Sequence, residues 1–242
     1  MPVLDLLSAA VDRLHAAESP SLWFAQRTEL QPETLGVLSA SFNPMTRAHE
    51  SMLECAHARF GFDEWLLVLA VANVDKAISG LPLEVRMHAL LQWAAERPAS
   101  IALCSHGRFV DKLTAIRQHY AAARVMFLVG YDTLVRLFDP RYYDDLDAAL
   151  STLFADCEFV AFNRADAEVS ALQALLTRPD IRPFAGKVHV LALDSELAEL
   201  SATQVRARLN RGDQIDELVP SAVAHYLRVP PSPDGPPRNR PG

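Results

Sequence analysis

Apolar runs of strand length alternate along this chain with longer stretches in which apolar positions recur every three to four residues. The runs at 35–40 (LGVLSA), 65–70 (WLLVLA), 101–104, 124–129 (RVMFLV), 158–162 and 187–193 predict strands. Helical spacing covers 47–60, 83–96, 110–120, 146–153, 170–177, 202–210 and 222–227, and a further helix starts at 132–138. The strand runs are apolar almost throughout instead of alternating with polar residues. That is the pattern of a parallel sheet covered by helices on both faces. The expected fold is α/β, a doubly wound parallel sheet forming a single domain over residues 35–228. Ahead of it, Val3, Leu4, Leu7, Val11 and Leu14 follow helical spacing, so residues 1–34 read as an N-terminal helical extension. After Arg228 the chain becomes VPPSPDGPPRNRPG, and 229–242 read as a disordered, proline-rich tail.

Charge narrows the choice of ligand. The 242 residues carry 23 Lys and Arg against 30 Asp and Glu, a net charge of −7. Nucleic-acid binding usually needs a basic surplus or stripe to neutralise phosphates, so no nucleic-acid partner is expected. Local positive charge remains available for a small phosphorylated ligand. No stretch approaches ~18 consecutive apolar residues, so no membrane association is expected. The N-terminus lacks the charged start and unbroken apolar run of a signal peptide. Cys55, Cys104 and Cys157 lie far apart, as suits reduced thiols, and the expected location is cytoplasmic. Cys55 and His57 cannot chelate together, because two residues apart on a helix they point about 200° apart. No metal site is expected.

In doubly wound sheets ligands sit beyond the carboxyl ends of the strands. The segment after the first predicted strand is Ser39-Ala40-Ser41-Phe42-Asn43-Pro44-Met45-Thr46-Arg47-Ala48-His49. It contains neither a GxGxxG fingerprint nor a GxxxxGK[ST] phosphate loop. Small residues at 39–41 let backbone amides approach a ligand, Pro44 fixes the turn, and Thr46 can cap the helix that follows. His49 then falls in the first helical turn, near the positive end of the helix dipole. A hydroxyl, exposed amides and an imidazole at one helix N-terminus suit a triphosphate. The same residue types also serve plain turn and capping chemistry in many βα loops.

The motif S-x-S-F-N-P-x-T-x-x-H resembles the [GS]-x-F-x-P-x-[HT]-x-x-H signature of the HxGH nucleotidyltransferase superfamily. Within it, the form is similar to that of eukaryotic-type nicotinamide mononucleotide adenylyltransferases, of the nicotinamide/nicotinate mononucleotide adenylyltransferase family. A second segment, Leu200-Ser201-Ala202-Thr203-Gln204-Val205-Arg206 followed by Leu209, Gly212 and Leu218-Val219-Pro220, resembles the ISSTxIR…LVP ending of the same family. The resemblance implies a Rossmann-like nucleotidyltransferase domain at 35–228. It implies transfer of AMP from ATP to a mononucleotide acceptor, forming NAD or its deamido form and pyrophosphate, with Mg²⁺ carried by the ATP. It makes Thr46, His49 and Arg206 the catalytic positions. It adds Ser41, Phe42, Asn43, Gly130, Asp132, Arg164, Ser201 and Thr203 as ATP-binding positions, and Lys76 as a phosphate contact. Arg86 and Met87 match an R-x-x-M pattern, for which packing is a sufficient account.

The sequence departs from the family at two places. Relatives carry a T-[YVW]-x-T-L segment after the third strand. Here Gly107-Arg108-Phe109-Val110-Asp111-Lys112-Leu113 puts Arg108 and Lys112 at the threonine positions and leaves Phe109 and Leu113 as acceptor-binding candidates. Ala202 also stands where a second serine is usual. The altered acceptor segment keeps a second reading open, a nucleotide-binding regulatory protein or an ATP hydrolase on the same fold. A homo-oligomer is left open too.

Overall fold

The computed structural model describes residues 3–71, 80–163 and 169–228, with side chains from residue 6 onward. The chain opens with helix α1 (Val3–His15) and strand β1 (Leu22–Gln26). There follow β2 (Thr34–Ser39), α2 (Arg47–Phe60), β3 (Glu64–Ala70), α3 (Leu83–Ala94), β4 (Ala99–Cys104) and α4 (Phe109–Arg117). Next come β5 (Arg124–Gly130), α5 (Tyr131–Leu137), α6 (Leu146–Asp156), β6 (Cys157–Phe162) and α7 (Val169–Leu176). The chain continues with β7 (Val188–Leu191), α8 (Ser195–Ala198), α9 (Ala202–Arg211) and α10 (Ser221–Arg228).

The strands form one sheet of seven in the order β1-β4-β3-β2-β5-β6-β7, in which only the β1–β4 pairing is antiparallel. Helices flank the sheet, as the unbroken apolar runs predicted: every residue of β3 and of β4 is buried. Successive strand residues serve opposite faces. Leu38, Leu67, Leu103 and Leu128 join one core with Leu53, Leu90 and Trp93 of α2 and α3. Val37, Val68, Ala102 and Phe127 join the other, with Ile116, Leu134 and Leu153 of α4, α5 and α6. On β2, a Cβ on Gly36 would lie 2.5 Å from the Phe62 ring, so only glycine lets that ring close on the strand.

β1 departs from the sequence reading, which placed residues 1–34 in a helical extension. Its run LWFAQ is too short for periodicity to separate strand from helix, and pairing with β4 decides it (Leu22 opposite Cys104, Trp23 opposite Leu103). By pairing there it covers what would otherwise be an open edge of β4. The proline-rich tail lies outside the described residues.

Setting β1 aside, the order runs out from β2 in both directions. Sequence neighbours go one way to β3 and β4, and β5 starts the return on the other side. The strand order therefore reverses between β2 and β5, and the crevice at their carboxyl ends is where such sheets hold ligands. The opposite ends of the strands carry structural polar groups. Glu64, 1% exposed, accepts hydrogen bonds from Ser100 Oγ (2.5 Å), Tyr120 OH (2.7 Å) and Thr28 Oγ1 (2.7 Å). Glu158 pairs there with Arg124 at 2.9 Å and with His189 at 2.6 Å.

Candidate active site

The loop from Ala40 to Thr46 leaves β2 at this crevice and enters α2. Its conformation is tightly determined. Phe42 holds a positive φ of 43°, uncommon outside glycine, and its ring is buried 5.3 Å from the His49 ring. The Asn43–Pro44 peptide is cis. Asn43 is 2% exposed, and its side-chain oxygen accepts from the Leu81 amide at 2.8 Å. Arg86 of α3 reaches under the loop and donates from Nη1 to the Ser41 carbonyl at 2.9 Å.

Thr46 is the N-cap of α2 and His49 its third residue. The Thr46 amide donates to His49 Nδ1 at 3.0 Å, and the Thr46 hydroxyl meets the same nitrogen at 2.8 Å. With Nδ1 accepting from an amide, the neutral ring carries its proton on Nε2, which leaves that nitrogen as a donor. Arg47 donates its amide to the Leu218 carbonyl at 3.0 Å, which ties α2 to the LVP segment. Two amides that the sequence reading left exposed at this helix start are thus engaged internally. The amides of Ser41, Phe42 and Asn43 make no hydrogen bond among the described residues.

α9 brings the second motif to the same place. Ser201 caps it through a capping box with Gln204, in which the Gln204 amide donates to Ser201 Oγ at 3.3 Å and the Ser201 amide to Gln204 Oε1 at 2.7 Å. One turn on, Arg206 donates from Nη2 to Thr203 Oγ1 at 3.1 Å and from Nη1 to the Asn43 carbonyl at 2.8 Å. Gly80 closes the junction with φ +151°, and a Cβ there would lie 2.5 Å from Asn43 Nδ2 and 2.9 Å from Arg206 Cδ.

The remaining candidates fall in three groups. Gly130 ends β5 as the N-cap of α5, with Asp132 exposed in the first turn, across the strand-order reversal from the loop. Phe109 and Leu113 belong to the core beneath the crevice: Leu113 is 5% exposed, and the Phe109 ring packs edge-on against Phe127 (5.1 Å) and Phe159 (5.4 Å). Lys76 and Arg164 lie outside the described residues. Asn163, adjoining Arg164, bridges to both the amide (2.6 Å) and the carbonyl (3.1 Å) of Leu193.

The two cations at the threonine positions are internally satisfied. Arg108 pairs with Asp111 at 2.8 Å. Lys112, 4% exposed, donates to the Gly107 carbonyl at 2.6 Å and lies 4.9 Å from the Phe109 ring centre. Burial pulls its ammonium down to about 8 and pushes the neighbouring Cys104 thiol up. Among the described residues, no three His, Cys, Asp or Glu side chains gather to hold a metal ion. No helix among them is long and apolar enough to cross a membrane.

Comparison with known proteins gives relatives by sequence and by fold. No family model matches the chain. It is 26% identical to a "Putative nicotinamide mononucleotide adenylyltransferase" of Schizosaccharomyces pombe, over 84% of this chain and 88% of that protein. It is 25% identical to a "Probable nicotinate-nucleotide adenylyltransferase" of Geotalea uraniireducens, over 80% of this chain and 95% of that one. The fold is similar to that of Plasmodium falciparum nicotinic acid mononucleotide adenylyltransferase complexed with NaAD. That match has a TM-score of 0.58 and 14% identity, covering 81% of this chain and 95% of the other. The proteins it is similar to are named as nucleotidyltransferases, the class its two motifs resemble. Within that class, the relatives it resembles are named for nicotinate or nicotinamide mononucleotide as acceptor.

Proposed function

We propose that this chain transfers the adenylyl group of ATP to nicotinamide or nicotinate mononucleotide, releasing pyrophosphate. The observation that carries this reading is the hydrogen bond from Arg206 to the Asn43 carbonyl, which joins the two motifs at the strand-order reversal. A phosphate oxygen of the acceptor attacks the α-phosphorus of ATP. The bond from that phosphorus to the bridging oxygen breaks, and pyrophosphate leaves in line. The nucleophile is already ionised, so no general base is required, and the protein's task is positioning and charge stabilisation.

In this reading the amides of Ser41 and Phe42 face the polyphosphate, and His49 donates from Nε2 to it. Arg206 places a fixed positive charge on the same side, with Thr203 and Asn43 holding its guanidinium in register. Gly130 and Asp132, across the crevice, face the nucleoside. Asn43 and Ser201 serve the site as its scaffold, since their side chains are committed to Leu81 and Gln204. Mg²⁺ enters as part of the nucleotide substrate. Lys76 as a phosphate contact and Arg164 as a nucleotide contact remain part of the proposal, as does a cytoplasmic location.

The test is incubation of the purified protein with ATP, Mg²⁺ and either mononucleotide, following dinucleotide and pyrophosphate by chromatography. Dinucleotide that disappears in His49→Ala supports the reading and ranks the two acceptors. ATP turnover to ADP with no dinucleotide from either acceptor overturns it.

A further inference from the structure

Arg86 is, with Lys112, one of two buried cations among the described residues, and it is the one beside the loop after β2. Its residue is 3% exposed, so the guanidinium is removed from water. It forms no ion pair among the described residues, and Nε has no hydrogen-bond partner. Burial pulls its pKa down, and the carboxylate whose field opposes this is Glu84, two positions away on the same helix. A buried charge that no described carboxylate pairs is costly, so a packing role alone would be served better by an apolar side chain.

The bond it does make explains its position. Nη1 donates to the Ser41 carbonyl at 2.9 Å. The Ser41–Phe42 peptide is trans, the cis bond being Asn43–Pro44, so its C=O and N–H point in opposite directions. Drawing the carbonyl of exposed Ser41 toward Arg86 therefore turns the Phe42 amide to the side of the loop away from Arg86. The positive φ of Phe42 turns the chain there, and successive amides of such a turn converge on one side as an anion-binding concavity.

We propose that Arg86 is a positioning residue for the adenylyl transfer: it aims the Phe42 amide at the polyphosphate and sets behind the loop a positive charge that no described residue pairs. This rests on the nucleotide-binding reading of the site given above. The charge is screened little by water where it sits, so it acts through the loop on anionic ligands and not on neutral ones. The dependence on ligand charge separates this role from a purely structural one.

Calorimetric titration with adenosine, AMP, ADP and ATP provides the test, on the wild-type protein and on Arg86→Met, Arg86→Gln and Arg86→Lys. Wild-type affinity should rise with each phosphate. Arg86→Met should leave adenosine binding unchanged and weaken ATP by about 10- to 100-fold, as for the loss of a charged hydrogen bond. Arg86→Gln keeps a donor without the charge and should fall between, while Arg86→Lys should recover most of the ATP affinity. The ATP KM should rise in Arg86→Met with the acceptor KM unmoved. If Arg86→Met does not fold, the Gln and Lys variants decide. Equal weakening of adenosine and ATP, or no weakening of either, overturns the proposal alone. Failure of the wild-type protein to bind ATP overturns the functional reading, and this proposal with it.

Discussion

The Arg206 guanidinium donates to the Asn43 carbonyl at 2.8 Å, although 163 residues separate the two in the chain. The loop after β2 and the start of α9 are thereby one unit. Asn43 is held on its other side by the Leu81 amide, so the 80–81 turn belongs to the same unit. Neither motif alone makes a rigid cradle for the polyphosphate of the proposed reaction; their contact supplies one. Arg206→Lys keeps the charge but cannot reach Asn43 and Thr203 together, because lysine lacks the planar fork. Its kcat/KM for ATP should fall about tenfold or more, the scale of one charged hydrogen bond, with little change in Tm since Arg206 is only half-buried. Initial rates across an ATP series check this, and wild-type kinetics in the variant would remove Arg206 from the site.

His49 couples helix capping to the chemistry assigned to its outer nitrogen. Its Nδ1 is engaged by Thr46, so His49→Ala removes both the cap and the donor. The cap is worth about 1 kcal/mol of stability. The donor is worth on the order of 10²- to 10³-fold in kcat if it meets charge that develops during transfer. Dinucleotide formation should drop by that factor while urea unfolding shifts only slightly. A variant that loses stability but keeps its kcat would assign His49 to capping alone.

Gly80→Ala tests the junction without removing a charged group. The added methyl would lie 2.5 Å from Asn43 Nδ2 and 2.9 Å from Arg206 Cδ, at a φ of +151° that alanine rarely adopts. Asn43 is buried and cannot step aside, so the loop and Arg206 must part. The expected result is a destabilisation of about 1–3 kcal/mol together with weaker ATP binding. Calorimetry and thermal unfolding read both effects, and an unchanged ATP affinity would show that the contact is not needed for binding.

Much of this was visible in the sequence because apolar strands and helix starts leave local marks. The runs at 65–70 and 124–129 announce buried parallel strands, and Thr46 and Ser201 stand where helix caps belong. What sequence could not supply were relations set by distant partners. LWFAQ becomes a strand only because β4 offers an open edge to it. Arg86 looks like one more helical residue until α3 is packed beneath Ser41. Asn43 and Phe42 read as ligand contacts, and the structure buries both residues in the loop, which no local pattern announces. Arg108 and Lys112 looked like changes to the acceptor pocket, and the structure pairs each with its own neighbourhood.

Glu158 gives the protein an acid-sensitive clasp at the end of the sheet away from the crevice. The hydrogen bond from Arg124, with help from His189, holds its carboxyl at about 2 against an ordinary value of 4.5. A depressed carboxylate stabilises the fold fully above the unfolded value, and the contribution disappears as pH falls from about 4.5 toward 2. Glu158→Gln should therefore be less stable than wild type at neutral pH, with the gap closing across that window. Urea midpoints at several pH values measure it, and a gap independent of pH would mean that the clasp works by packing.

Lys112 works in the opposite direction, at alkaline pH. Burial pulls its ammonium from 10.5 down to about 8. Between those values the unfolded chain still holds a proton that the folded chain has released, so stability rises with pH across the window. Below about 8 the cost of burying the ammonium is complete, at most about 3 kcal/mol for a shift of this size. Lys112→Met keeps most of the volume and removes both the charge and the bond to the Gly107 carbonyl. Relative to this variant, wild-type protein should gain stability from pH 8 to pH 10, whatever their order at pH 7. The Cys104 thiol, itself pushed up by burial, lies beside Lys112 in wild type and remains in the variant. Parallel urea-midpoint curves for the two proteins would show that the Lys112 ammonium stays protonated throughout, held by Gly107 and the Phe109 ring.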